Sequence, residues 1–188
     1  MKKFLSISLL FTVMWFAQGC GDNKDSSSST ATTVSTDTSA KTSSVPVDAD
    51  SKDFVMKAAS GGMMEVELGK VAQQKAQDPR VKNFGQMMVD DHSKANDELK
   101  GIASSKNIMI PDKMMDDHQK HVDEMSKKSG KDFDKAYMDM MLNDHKEDIG
   151  DFKKASENSK DADIKGFAGK TLPVLQKHLD SAQAIHGK

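Results

Sequence analysis

Met87-Met88-Val89-Asp90-Asp91-His92 comes back later in the chain as Met140-Met141-Leu142-Asn143-Asp144-His145. Both stretches carry a methionine pair, an acid and a closing histidine, so each reads as the same position in a repeated unit. A second echo sets Asp78-Pro79-Arg80-Val81-Lys82-Asn83-Phe84 against Asp161-Ala162-Asp163-Ile164-Lys165-Gly166-Phe167. Asp78 before Pro79 suits an N-cap followed by proline in the first helical turn, where the missing N–H costs nothing. If Asp161 opens a helix in the same way, the chain holds two helical hairpins joined by a long connection.

Working outward, the spacing predicts long helices over 52–77, 79–106, 131–158 and 162–185. A shorter helix over 112–128 falls in the connection and ends near Gly130. The apolar stripes are helical. Val81, Phe84, Met88, Ala95, Leu99 and Ile102 fall on one face of the second helix, and Ile164, Ala168, Leu172, Leu175, Leu179 and Ala182 on one face of the last. Pro111 marks a break, and Pro173, inside the last helical pattern, predicts a kink or local break. A crossover of this length spans a bundle from end to end. The expected fold class is therefore all-α: a ferritin-like four-helix bundle with a short extra helix in the crossover between helices 2 and 3.

An ionisable residue interrupts each stripe: Glu65, His92, His145 and His178. Glu65 lies 13 residues before Asp78 and His92 lies 14 after it; His145 lies 16 before Asp161 and His178 lies 17 after it. Within each hairpin the two groups are level, because both strands of a helical hairpin rise equally per residue. Three imidazoles and a carboxylate meeting in a core form a ligand set for Fe, Mn, Zn or Cu. Glu67, Asp91 and Asp144 are the neighbours expected to ligate or to hold the imidazoles from outside. The bland alternative is a buried polar cluster in which each histidine is satisfied by a nearby carboxylate.

Di-iron bundles place Glu three residues before His on two helices. Here Val89, Leu142 and Leu175 occupy that position, so ferritin-type oxidation of iron is not expected. Met88/His92, Met114/His118 and Met141/His145 are four apart and share a helix face, a pairing that suits Cu(I). Methionine is also a good helix former and a pliable core filler, which is the plainer reading. His118 and His121 are expected in solvent and His186 at a fraying end. Gly61-Gly62 reads as close helix packing. No nucleophile motif, phosphate-cradling glycine loop or cysteine knuckle appears.

The first part of the 188-residue chain is of another kind. Lys2 and Lys3 precede an apolar run over 4–17 that is too short to span a bilayer, the pattern of a secretory signal. Ala17-Gln18-Gly19-Cys20 follows and reads as a lipobox, with 1–19 as lipoprotein signal peptide and Cys20 as the lipidation site. Acyl chains on Cys20 supply the membrane partner without a transmembrane helix. Residues 20–51, rich in Ser and Thr, read as a disordered tether, and 52–188 as the bundle domain. Cys20 is the one cysteine, so no disulfide forms within the chain. Of 27 basic residues, Lys2 and Lys3 leave with the signal, so 25 face 29 acidic ones, a net of −4. That excludes nucleic acid as a partner class. The expected location is the cell envelope, lipid-anchored outside the cytoplasm, with the outer membrane favoured.

Several of these segments together resemble the "domain of unknown function 4142" family of exported bacterial proteins. They are Phe54 with Glu65-Val66-Glu67-Leu68-Gly69, residues 81–84 with 88–92, Asp132-Phe133-Asp134 through Tyr137, Asp144-His145, and Leu172-Pro173 with His178-Leu179. The resemblance covers about 53–185 and implies a ferritin-like helical fold and export. It implies no reaction. The functional reading is an envelope lipoprotein of unassigned activity that binds a metal ion in its core for metal handling or stress protection. The rival is a non-catalytic structural or partner-binding protein with a buried polar cluster. A redox enzyme at a metal centre is the third option, and it needs an open coordination position.

Overall fold

Asp48 decides where the first helix begins. Its Oδ1 accepts from the Ser51 backbone N–H at 2.8 Å and its Oδ2 from the Ser51 hydroxyl at 3.0 Å. In the computed structural model, which describes residues 46–186, α1 therefore spans Ala49–Lys75. The helix starts three residues before the expected 52, because the Asp-x-x-Ser cap lies inside the stretch read as tether. The signal, Cys20 and nearly all of the tether lie outside the described residues.

α2 (Pro79–Ser105) is capped by Asp78, which accepts from the Arg80 N–H at 2.8 Å. α5 (Ala162–His186) opens on Asp161, whose Oδ1 accepts from the N–H groups of Asp163 at 3.0 Å and Ile164 at 3.1 Å. The two echoed segments thus cap their helices alike. Between them lie α3 (Asp116–Ser126) and α4 (Gly130–Asn158). Among the described residues there is no strand. Gly130 has φ +60°, a left-handed conformation that glycine adopts freely, and it turns the chain into α4.

α3 is shorter than the expected 112–128. No side chain caps it; instead the Met115 N–H donates to Ser60 Oγ on α1 at 2.7 Å, and the same hydroxyl lies 2.6 Å from His118 Nδ1. Its start is set by a tertiary contact, and His118 is half-buried against α1 rather than solvated. α5 continues through Pro173 without a break. Pro173 and Gly169, whose carbonyl loses its partner, are both exposed, so water satisfies that oxygen, while Ala168, Thr171, Leu175 and His178 hold the helix on its buried face.

α1 packs along α2, and α4 along α5; the two hairpins meet through α2 against α5 and α1 against α4. α3 lies mainly on α1. Gly69 and Gly85 let α1 and α2 close together: a Cβ on Gly85 would stand 2.7 Å from Ala72 Cβ and 2.8 Å from Gly69 O. Gly62 abuts Asn96 of α2, as close packing requires, whereas a Cβ on Gly61 would make only an ordinary contact with His118. Asp134 of α4 accepts from the N–H groups of Gln77 (3.0 Å) and Asp78 (2.9 Å), pinning the α1–α2 turn. Lys106 ties the end of α2 to Asp161 and Asp163 at 2.8 Å each.

The buried apolar side chains form two clusters. One holds Leu68, Phe84, Met88, Phe133, Tyr137 and Met141 with their neighbours. The other holds Val55, Leu99, Phe152, Ile164, Phe167 and Leu175. On α2, α4 and α5 the polar residue sits in the gap between the two, and on α1 Glu65 directly follows Met64 at the edge of the first cluster.

Candidate metal centre

Glu65, His92, His145 and His178, one from each long helix, come together between the two apolar clusters, all at least nine-tenths buried. One ring nitrogen from each histidine lies within 4.8 Å of the other two. The ring centroids are 5.8 Å (His92–His145), 5.2 Å (His92–His178) and 5.3 Å (His145–His178) apart. Helical spacing explains the convergence. Met88 and His92, Met141 and His145, and Leu175 and His178 are three or four apart, so each ring points where the apolar stripe points.

The outer partner of each ring assigns its proton. His145 Nδ1 lies 3.0 Å from the Met141 carbonyl, which only accepts, so Nδ1 carries the hydrogen. His178 Nε2 faces Asp91 Oδ2 at 3.1 Å and donates to it. His92 Nδ1 donates to Glu65 Oε2 at 2.9 Å. In the neutral rings, the inner atoms His145 Nε2, His178 Nδ1 and His92 Nε2 are then bare lone pairs. Two of them, His145 Nε2 and His178 Nδ1, stand 3.2 Å apart. Glu65 Oε1 is 3.6 Å from His145 Nε2 and, like His92 Nε2, is buried without a hydrogen-bond partner. Three buried imidazoles so grouped could form a site for a metal ion.

Burial disfavours protonation of His145 and His178. Burial pushes His178 down to about 4, against the opposing pull of Asp91. Burial likewise lowers His145, with Glu65 opposing. For Glu65, burial alone would raise the carboxyl; His92, by charge and hydrogen bond, then His145 and His178, turn the net shift downward. Positive charge on the imidazoles holds the Glu65 carboxylate ionised, while burial disfavours that charge on His145 and His178, so the two demands oppose one another.

The outlying expectations divide. Asp91 holds His178, as a carboxylate behind a ligating imidazole does. Glu67 does not belong: it is half-exposed and pairs with Lys70 at 3.3 Å. Asp144 touches no imidazole; its Oδ2 is buried and unpartnered, and burial with Glu65 and Glu147 nearby pushes it up to about 7. Sequence reading missed Asp148, one turn on, which burial and then Glu65 push up to about 9. It also missed the buried Tyr137 hydroxyl, which has no partner. The i,i+4 pair Asp144/Asp148 was the available signal. His121 is exposed; His186 is not free at a frayed end but meets Asp139 at 2.6 Å.

Two cavities adjoin the centre. An outer one of about 330 Å³ lies between α1, α3 and α4, with Glu65 and Asp148 in its wall. An inner one of about 30 Å³ touches Glu65, His92 and Asp148.

No curated protein matches the chain in sequence. In structure it is similar to a solved fragment titled "Crystal structure of DUF305 fragment from Deinococcus radiodurans". The TM-score is 0.67 at 9% identity, over 76% of this chain and 99% of that one. At that identity the likeness concerns the helical fold alone. A family model described as "Domain of unknown function (DUF4142)" matches residues 36–185, which takes in α1 to α4, α5 up to Ile185 and the whole of the polar centre. The chain belongs to the DUF4142 family.

Proposed function

We propose that Glu65, His92, His145 and His178 bind a transition-metal ion, Fe, Mn, Zn or Cu, within a ferritin-like four-helix bundle whose crossover carries α3. The chain would be held in the cell envelope by lipid on Cys20 and serve metal handling or stress protection there. The observation that carries the reading is the pair of facing lone pairs on His145 Nε2 and His178 Nδ1, 3.2 Å apart. In a tetrahedral site with metal–nitrogen bonds near 2.05 Å, neighbouring ligand atoms stand about 3.3 Å apart. The 3.6 Å from Glu65 Oε1 to His145 Nε2 is close to the same edge. A proton shared between the rings is the competing occupant, and the lowered affinity of both rings for protons argues against it.

A second reading rests on the position of the centre between two apolar clusters. Buried polar groups there specify helix register, with no ligand needed.

Metal content separates the two. The full chain, purified in detergent, is exposed to each metal, desalted and measured by mass spectrometry beside His145→Ala and His178→Ala. One ion per chain in the parent and none in the variants is expected. A metal-free parent that folds as well in chelator as without it would leave the register reading.

A further inference from the structure

A buried site needs a way in, and the outer cavity is placed to provide one. Its mouth carries the exposed acids Asp117, Glu147 and Asp151, from α3 and α4. Lys57, the one lysine in its wall, is paired to Asp53 at 3.0 Å. Gly61, Glu65 and Asp148 line both this cavity and the inner one, so the two share a wall. His92 is in the wall of the inner one. At the floor stands Glu65, 2% exposed, with Oε1 unpartnered. Among the described residues the acids do not themselves converge as a ligand group; only the three histidines do. The acids are therefore spread along a passage rather than gathered into a cage.

We propose that this opening between α1, α3 and α4 is the entrance through which a divalent cation reaches the four-residue centre, the mouth acids drawing it in and Gly61 leaving the neck open. The proposal rests on the metal-binding reading. A negative mouth over low-dielectric walls raises the local cation concentration and the rate of capture without altering the final complex. A Cβ on Gly61 would meet only His118 Cε1 at 3.9 Å, so the missing side chain there serves space rather than helix contact. The Ser60–His118 bond of 2.6 Å fixes α3 as the outer wall.

The test is the rate of Zn²⁺ or Mn²⁺ uptake by the metal-free full chain in stopped flow, with final content measured separately. Glu147→Gln combined with Asp151→Asn removes mouth charge; Gly61→Leu fills the neck. Circular dichroism verifies that each is folded, and the charge variant keeps the test open should the plugged one fail to fold. Uptake about ten-fold slower in the charge variant, less salt-dependent than in the parent, and slower still in the plugged one, with parental final content, is the expected result. Parental rates with parental content overturn the entrance and leave the centre standing. A lowered final content in the charge variant makes those acids ligands and overturns the entrance as drawn. No uptake by the parent overturns both.

Discussion

His178 is fully buried, yet the carboxylate that fixes its ring, Asp91, is 24% exposed and lies near Lys94 and Lys177. Asp91 orients the ring and keeps Nδ1 free, and it would not touch the proposed ion. Replacing it with alanine should weaken metal affinity about 10- to 100-fold and leave the stoichiometry at one. Competition against a chromophoric chelator measures this, and an unchanged affinity would remove Asp91 from the site's support. The four inner residues were legible in sequence because helical rise is constant on both sides of a tight turn, so counting from Asp78 and Asp161 gives height. Acids beside them were not equally legible. Glu67, two residues past Glu65, lies about 200° around the helix and meets Lys70 instead. Asp148 sits in a charged stretch that looks solvated, and its burial depends on α1 and α3 covering α4, which no local pattern records.

At the scale of the element, α2 carries two glycines with opposite reasons to be there. Gly85 faces α1 so closely that an added methyl meets Ala72 and the Gly69 carbonyl; nothing lies within 4 Å of a Cβ on Gly101. Gly85→Ala should destabilise the domain by about 1–3 kcal/mol through overpacking. Gly101→Ala should stabilise it by about 0.4–1 kcal/mol, since alanine loses less backbone freedom on folding. Urea titrations of both variants read the contrast, and like signs would contradict the packing described. Helix ends were legible where a local cap sets them, as at Asp78 and Asp161. They were not where the cap lay inside a Ser-rich stretch, as at Asp48, or where a partner helix sets the end, as Ser60 does for α3. Pro173 does not break α5, and the Gly169 carbonyl that it leaves without a helical partner belongs to an exposed residue.

For the whole molecule, the raised carboxyls set the pH response of the metal-free state. Asp144 and Asp148 are held at about 7 and about 9 in the folded chain, against 3.8 as free side chains. Between those values the folded state binds more protons than the unfolded one, so stability falls as pH rises. His145 and His178, lowered by burial, act oppositely, but only below their ordinary 6.5. From about pH 6.5 to 9 the carboxyls act alone, and the chemical-denaturation midpoint of the metal-free chain should decline across that window. Asp148→Asn should flatten the decline at its upper end. A midpoint that climbs from pH 6.5 to 9 would contradict the burial of these groups.

The division of the interior into two apolar clusters has a mechanical meaning. The two ends have separate apolar clusters, so a disturbance at one end reaches the far end through the long helices and the four polar side chains at mid-height. With that layer vacant, each end loosens by itself, and amide protons near Phe84 and near Phe167 exchange as separate cooperative units. The ion proposed above, held by all four long helices, would rivet them at the waist. The two ends would then yield together or not at all, and occupancy would become a property that either end of the molecule can sense.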